Sequence, residues 1–220
     1  MEKNLNQTML RQVLYRFFGS LFLYPDEELL SDIQNGTKEI LNNDDLWKDQ
    51  VIAEKLMALT MFLESINREC RKTIVDEYNR LFLVKPKAPP YESSYIKLSG
   101  QSEGMIAAEI SGIYGQAGLI VDPETNELPD HIAVELEFMS FLCEKEKIAL
   151  QDGYQEGVIT VQKQQQKFVD EHLACWYPKF AKQTLLETKK SLYEILTLTT
   201  FVFLKNELEY LEIKDLVMVS

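Results

Sequence analysis

The stretch LNQTMLRQVLYRFFGSLF, residues 5–22, decides the fold class. Its apolar residues recur every three or four positions, a spacing that places them on one face of an α-helix. They are Met9, Leu10, Val13, Leu14, Phe17, Phe18, Leu21 and Phe22. Arg11 and Arg16 interrupt the stretch and no small-residue cleavage site follows it, so we expect an amphipathic helix and not a secretion signal. Pro25 ends it, because proline does not continue a helix.

The same spacing recurs outward along the chain. No stretch alternates with period two, and no repeat of fixed length occurs. Residues 1–220 are therefore predicted to form one all-α domain, an irregular helical bundle. Polar turns are predicted at residues 42–45 and 122–126. Further helices are predicted from Asp26 as N-cap to about 41, around 56–66, at about 70–82, 103–117 before Gly118, from Asp130 onward, at 156–176 and at 185–211.

One proline-rich segment, VKPKAPP at residues 84–90, cannot be helical. Its three prolines lack backbone donors and push the residues before them toward extended conformations. We expect a stiff loop or hinge at about residues 83–93 that divides the chain into two helical parts. A homodimer formed by exchange of helices about this loop is left open.

The composition limits the classes of partner. A net charge of −12 repels nucleic acid and anionic lipid surfaces. No apolar run reaches the roughly 18 residues of a membrane span, so no membrane insertion is expected. Cys70, Cys143 and Cys175 are widely spaced without a C-x-x-C pair, which predicts no disulfide framework or thiolate metal site and favours the reducing cytoplasm.

Acidic residues are concentrated in one part of the chain. Residues 122–156 hold ten Asp and Glu against two Lys, a net charge of −8. Such a run can attract a basic peptide, or it can simply be a solvated helix face. Both interpretations stay open at this point.

Signals of catalysis are weak. His131 and Glu135 form an i, i+4 pair after Asp130, which could make a metal or acid–base site and would then hold bound metal. The alternative is that Asp130 is a helix N-cap and His131 a first-turn residue. Neither His131 nor His172 follows a Glu by three positions, so a di-iron bundle is excluded, and no common catalytic or nucleotide motif occurs. We expect no enzyme activity and no cofactor.

Four short motifs together resemble those of the TorD/DmsD/NarJ family. They are EYNRLF at 77–82, PPYESSY at 89–95, LPDH at 128–131 leading into ELEFM at 135–139, and His172-Leu173 with Trp176 and Phe180. The resemblance implies an all-helical cytoplasmic chaperone of a molybdopterin-containing oxidoreductase. Such a chaperone binds the N-terminal leader of the catalytic subunit, often a twin-arginine signal, and delays export until the cofactor is inserted. A nitrate-reductase-type assembly chaperone for a non-exported subunit, or a non-catalytic structural subunit, are the alternatives.

The resemblance also implies a leader-binding site. Its residues would be Pro89, Pro90, Tyr91, Glu92, Tyr95, Asp130 and His131, and Tyr91 stands where DmsD-like members have Trp. A leader has a basic stretch followed by an apolar one, so its receptor needs an acidic rim beside an apolar groove. We therefore expect the apolar part to lie against Tyr91 and Tyr95. The leader's arginines would meet Asp130, Glu92 or Glu135.

Overall fold

The computed structural model describes residues 2–41, 50–96, 103–119, 127–188 and 191–219. Within these ranges the chain is almost wholly helical, which confirms the predicted all-α fold. The turns predicted at 42–45 and 122–126 lie outside the described residues. The helices are α1 (Glu2–Leu21), α2 (Glu27–Leu41), α3 (Gln50–Glu64), α4 (Arg68–Tyr78), α5 (Glu103–Gln116), α6 (Ile132–Gln151), α7 (Gln155–Phe168), α8 (Ala174–Glu187) and α9 (Leu192–Val219).

Helix α1 packs along α6 in the middle of the bundle. Gly19 permits their close approach, because a Cβ there would lie 3.1 Å from the carbonyl oxygen of Ala133. The predicted apolar face is partly wrong: Met9 and Val13 are 43% and 44% exposed. The helix is instead rotated so that Arg11 is buried, where it meets carboxylates from α6 and α9.

Two helix starts follow the expected capping chemistry. Asp26 Oδ1 accepts a hydrogen bond from the backbone N–H of Leu29 at 2.8 Å, so Asp26 caps α2 as predicted. Helix α4 begins after Asn67, whose side-chain oxygen accepts from Glu69 and Cys70. Gly118 has φ +85° directly after α5, the left-handed conformation expected of a glycine that ends a helix.

The prediction for the C-terminal helices is wrong at its boundaries. A π turn, Val169–Leu173, joins α7 to α8, and the helical path continues through Pro178 to Glu187. Helix α9 begins only at Leu192. Leu185 and Leu186 resemble the start of a new apolar periodicity, but they complete α8, and Leu186 is 74% exposed.

A continuous cluster of buried apolar side chains draws on most of these helices. Its aromatic centre joins α1, α4 and α8, with the Phe22 ring centroid 5.8 Å from that of Phe180. That residues 1–220 form one domain with a hinge at 83–93 stays a prediction. None of the helices in the described ranges has the length and apolarity needed to cross a bilayer.

Candidate functional site

The proline-rich loop lies on the N-terminus of α6. Ile132 donates its backbone N–H to the carbonyl oxygen of Pro90, and Glu92 donates to the carbonyl oxygen of Asp130, both at 2.9 Å. Tyr91 and His131 form an isolated antiparallel bridge, and their ring centroids are 5.1 Å apart. We call residues 88–96 together with 127–135 the loop–helix junction. It brings together all of the predicted site residues, which come from separate motifs.

The residue that caps α6 is His131, so the prediction that Asp130 is the N-cap is wrong. His131 Nδ1 accepts the backbone N–H of Ala133 at 3.1 Å. Burial lowers the pKa of His131 to about 3, and the neutral ring can therefore accept this bond. Asp130 points the other way and binds the loop, where its Oδ2 accepts the backbone N–H of Ser93 at 3.1 Å.

Glu92 fixes the loop to the π turn between α7 and α8. It lies on the one-turn 3₁₀ helix Glu92–Ser94, and its side chain is almost fully buried. Its carboxylate oxygens lie 3.1 and 3.2 Å from Nδ1 of His172. His172 belongs to the motif series but was not predicted to be a site residue. Its position after Val169 in the π turn carries no helical-spacing signal that would associate it with Glu92.

Glu135, the third acidic residue, is fully buried on α6. Its Oε2 accepts a hydrogen bond from the indole Nε1 of Trp176 at 2.9 Å. Burial, followed by the nearby carboxylate of Glu92, raises the pKa of Glu135 well above its usual range. Trp176 in turn stacks on Tyr95, with centroids 5.7 Å apart, so the loop covers this side chain.

We call Glu92, Asp130 and Glu135 the buried acidic cluster. Among the described residues, no hydrogen-bond donor reaches Oδ1 of Asp130 or Oε1 of Glu135. Buried polar atoms are usually paired, so two unpaired acceptors in one cluster are unusual. The described side chains include no group of three or more His, Cys, Asp or Glu able to hold a metal ion. The arrangement suits a donor with several N–H groups, such as a guanidinium.

The cluster is not an exposed acidic rim. Glu92 is 3% exposed, and Asp130 and Glu135 are 0% exposed, so a cation reaches them only when the loop moves. The most accessible side chain of the junction is Leu128, which is 55% exposed, while Pro89 and Tyr91 are partly exposed. The Tyr91 hydroxyl donates to Glu127 at 3.1 Å, and burial together with Glu127 raises the pKa of Tyr91 to about 12.

Further contacts from outside the junction hold the start of the loop. Ala88 donates its backbone N–H to the carbonyl oxygen of Leu81 at 2.9 Å, and Gln183 of α8 donates to the carbonyl oxygen of Lys87. A second π turn, Asn79–Leu83, joins α4 directly to the loop. Such turns are frequent at functional sites because they interrupt the regular hydrogen-bond ladder.

Comparisons with known proteins agree with one another. A family model described as nitrate reductase delta subunit matches residues 48–182, which include the whole junction. The perchlorate reductase assembly chaperone protein of Dechloromonas aromatica is 33% identical over 47% of this chain and 47% of its own length. The chaperone protein TorD of Vibrio parahaemolyticus is 29% identical over 57% of this chain and 60% of its own. In these two alignments the chain spans about half the length of each relative.

A solved structure shares the fold. It comes from Archaeoglobus fulgidus and is provisionally assigned as a redox enzyme maturation protein. The TM-score is 0.50 with 23% sequence identity, and the match covers 91% of this chain and 93% of the other. At this identity the likeness shows the helical fold alone.

Proposed function

Because the chain belongs to the nitrate reductase delta subunit family, we propose that it is a cytoplasmic, non-catalytic maturation chaperone. Its partner would be the catalytic subunit of a molybdopterin-containing oxidoreductase, bound through its N-terminal leader and in its apo form. The names of the relatives support this, since they include TorD chaperones and assembly chaperones of perchlorate and selenate reductases. Holding the leader would delay export until the cofactor is inserted.

We place the leader at the loop–helix junction. The residues involved are Pro89, Pro90, Tyr91, Glu92, Tyr95, Asp130, His131 and Glu135. The observation that carries this assignment is the buried acceptor Oδ1 of Asp130, to which no described residue donates and which lies in the same cluster as Glu135. A buried acceptor without a donor costs free energy, and an arginine of the leader would remove that cost with charge-assisted hydrogen bonds.

The loop gives the leader a route to these carboxyl groups. Its prolines make it stiff, so it would move as one unit about the π turn Asn79–Leu83 that precedes it. Displacement exposes the ring of Tyr95, which is half-buried against Trp176. The apolar part of the leader would then lie against Tyr91 and Tyr95 while its arginine enters the cluster.

Calorimetric titration with synthetic leaders of molybdopterin oxidoreductase subunits tests the proposal. One leader should bind saturably, with an affinity of about micromolar, because a chaperone must release its client. Tyr91→Ala and Asp130→Ala should each weaken binding. Tyr154→Ala is the matched control, since Tyr154 is an exposed tyrosine beyond the opposite end of α6. Binding should also weaken as salt is raised. Absence of saturable binding to any leader would favour a structural role.

A second candidate is an assembly chaperone for a subunit that is not exported. The description of the matching family as nitrate reductase delta subunit favours it. This chaperone would bind the N-terminal segment of its client whether or not that segment carries paired arginines. Replacing both arginines by citrulline, which keeps the shape and removes the charge, separates the two candidates. Loss of binding favours the export-linked role, and unchanged binding favours the second.

A further inference from the structure

The buried acidic cluster contains more acid than base. Within the described residues, the ion-pair contact to its three carboxyl groups comes from His172. His131 is neutral at physiological pH because burial lowers its pKa to about 3. Tyr114 of α5 also faces the cluster, but its hydroxyl donates to the carbonyl oxygen of Pro129 at 2.8 Å and compensates no charge there.

Glu135 is the member of the cluster least able to stay ionised. It is fully buried, and Glu92 of the loop and Asp130 beside α6 both face it. Its donor from the described residues is the Trp176 indole, on Oε2, and none of them donates to Oε1. The carboxyl group of Glu92 lies beside that of Glu135. Two neighbouring carboxylates in a low-dielectric interior disfavour each other's ionised form. A proton on Glu135 resolves the conflict, because Oε1 then becomes a donor toward Glu92.

We propose that the junction exchanges this proton for a cationic group of the bound leader. The inference rests on the proposed function. The O–H bond of the Glu135 carboxyl breaks, its proton passes to solvent, and the resulting carboxylate pairs with a guanidinium that also reaches Oδ1 of Asp130. One positive charge enters as one leaves, so the buried cluster keeps the same net charge. Leader binding is thereby coupled to pH.

The sign of the coupling follows from linkage. A bound cation stabilises the ionised carboxylate, so the leader and the proton compete for Glu135. Acidification therefore weakens binding. Where the free protein holds the proton and the complex does not, release of one proton changes the affinity about tenfold per pH unit.

Calorimetry in two buffers counts the released protons. The probe is the synthetic twin-arginine leader that binds most tightly in the titrations above, measured at about pH 6 in cacodylate and in Bis-Tris, whose ionisation enthalpies differ. The wild-type protein should release about one proton per leader. Glu135→Gln resembles the protonated side chain and should bind the leader with no proton release and little dependence on pH. Glu137→Gln, an exposed glutamate on the same helix, should behave like wild type.

The outcomes separate the two proposals. Saturable binding with equal heats in both buffers overturns proton exchange and leaves the proposed function standing. Equal proton release by wild type and Glu135→Gln also overturns it. No binding to any leader contradicts the proposed function, and the exchange fails with it.

Infrared spectroscopy of the free protein at about pH 6 gives a test that needs no peptide. A carbonyl band of a protonated carboxyl group should be present in the wild type and missing in Glu135→Gln. Its absence from the wild type overturns the exchange.

Discussion

Two clusters of buried charged side chains lie along α6, and they differ in how completely their charges are paired. Arg11 of α1 donates to Glu207 of α9 at 2.8 Å and to Glu146 of α6 at 3.0 Å. Gln162 and Gln165 of α7 also donate to Glu146. Every carboxylate oxygen of this cluster therefore accepts at least one hydrogen bond. At the junction, no group of the described residues donates to Oδ1 of Asp130 or to Oε1 of Glu135.

We interpret this difference as one between a structural cluster and the proposed leader-binding site. A buried network whose charged groups are all paired stabilises one arrangement of the helices that contribute to it. Arg11 and its partners join α1, α6, α7 and α9, which are distant in sequence, and so fix how these helices pack. The buried acidic cluster contains acceptors to which no described residue donates. We propose that a partner supplies the missing donor there.

The largest expected effect comes from removing the cation of the paired cluster. Arg11→Met should lower the free energy of unfolding by about 3–5 kcal/mol, because it leaves Glu146 and Glu207 buried and uncompensated. Urea denaturation followed by circular dichroism measures this. Arg16→Met, at an exposed position on the same helix, is the control and should change stability by less than about 0.5 kcal/mol. Equal losses in the two variants would remove the distinction between the clusters.

A matched pair of glutamates on α6 gives the next effect. Glu146→Gln should cost about 2–3 kcal/mol, since it removes a charge that Arg11 pairs with. Glu135→Gln should lower the free energy of unfolding by less than about 1 kcal/mol, because the native side chain already carries a proton. Both residues are fully buried, so burial alone cannot explain the difference. A larger loss for Glu135→Gln would contradict the account.

The pH dependence of stability sharpens the same comparison. The pKa of Glu135 in the folded protein lies above its ordinary value of 4.5, so the folded state holds an extra proton between the two values. The stability from this group is complete below about pH 4.5 and is lost as pH rises through the folded-state pKa. Relative to Glu135→Gln, the wild type should lose up to ~1.4 kcal/mol per pH unit over that window. A constant difference between the two denaturation curves would contradict this.

The stability that His131 contributes depends on pH in the opposite direction. Its pKa is about 3 in the folded protein against an ordinary 6.5. Its contribution is present above pH 6.5 and is lost as pH falls toward 3, by up to ~1.4 kcal/mol per pH unit. His131→Asn keeps a capping side chain that does not titrate. In thermal melts from neutral pH to about pH 4, the melting temperature of the variant should fall less than that of the wild type. An equal fall in both proteins would rule the effect out.

The smallest effect is expected at the accessible edge of the junction. Tyr91→Phe removes the hydrogen bond to Glu127 and keeps the ring, so stability should fall by about 0.5–1 kcal/mol. Leader affinity should stay close to that of wild type, whereas Tyr91→Ala weakens it. If Tyr91→Phe lost as much leader affinity as Tyr91→Ala, the contact would be assigned to the hydroxyl and not to the ring.

The sequence predicted the fold class well, because helical spacing and a proline-rich break are local signals. The loop was predicted from Pro86, Pro89 and Pro90 alone. The path through Pro178 was missed, since a π turn before it leaves no mark in apolar spacing. Burial of Arg11 was missed because its partners Glu146 and Glu207 are more than a hundred residues away in the chain.

The site shows the same limit. The motif resemblance predicted that Asp130, His131 and the Pro-Pro-Tyr loop belong to one site; the structure brings them together, and their role as a site stays a prediction. The resemblance did not reveal which residue caps α6, because Asp130 and His131 are both able to cap. Only the position of Ser93, which binds Asp130, decides that His131 is the cap. Nor did the resemblance reveal that the carboxyl groups are covered, because acidic residues usually lie at the surface.

Hydrogen exchange of the protein with and without its leader tests the central claim most directly. Leader binding at the junction should change the exchange of the backbone amides of Glu92, Ser93 and Ile132, which bond across it. Amides around Arg11 and Glu146 should exchange at unchanged rates. Saturable binding whose exchange changes lie outside residues 88–96 and 127–135 would contradict the assignment of the leader to the loop–helix junction.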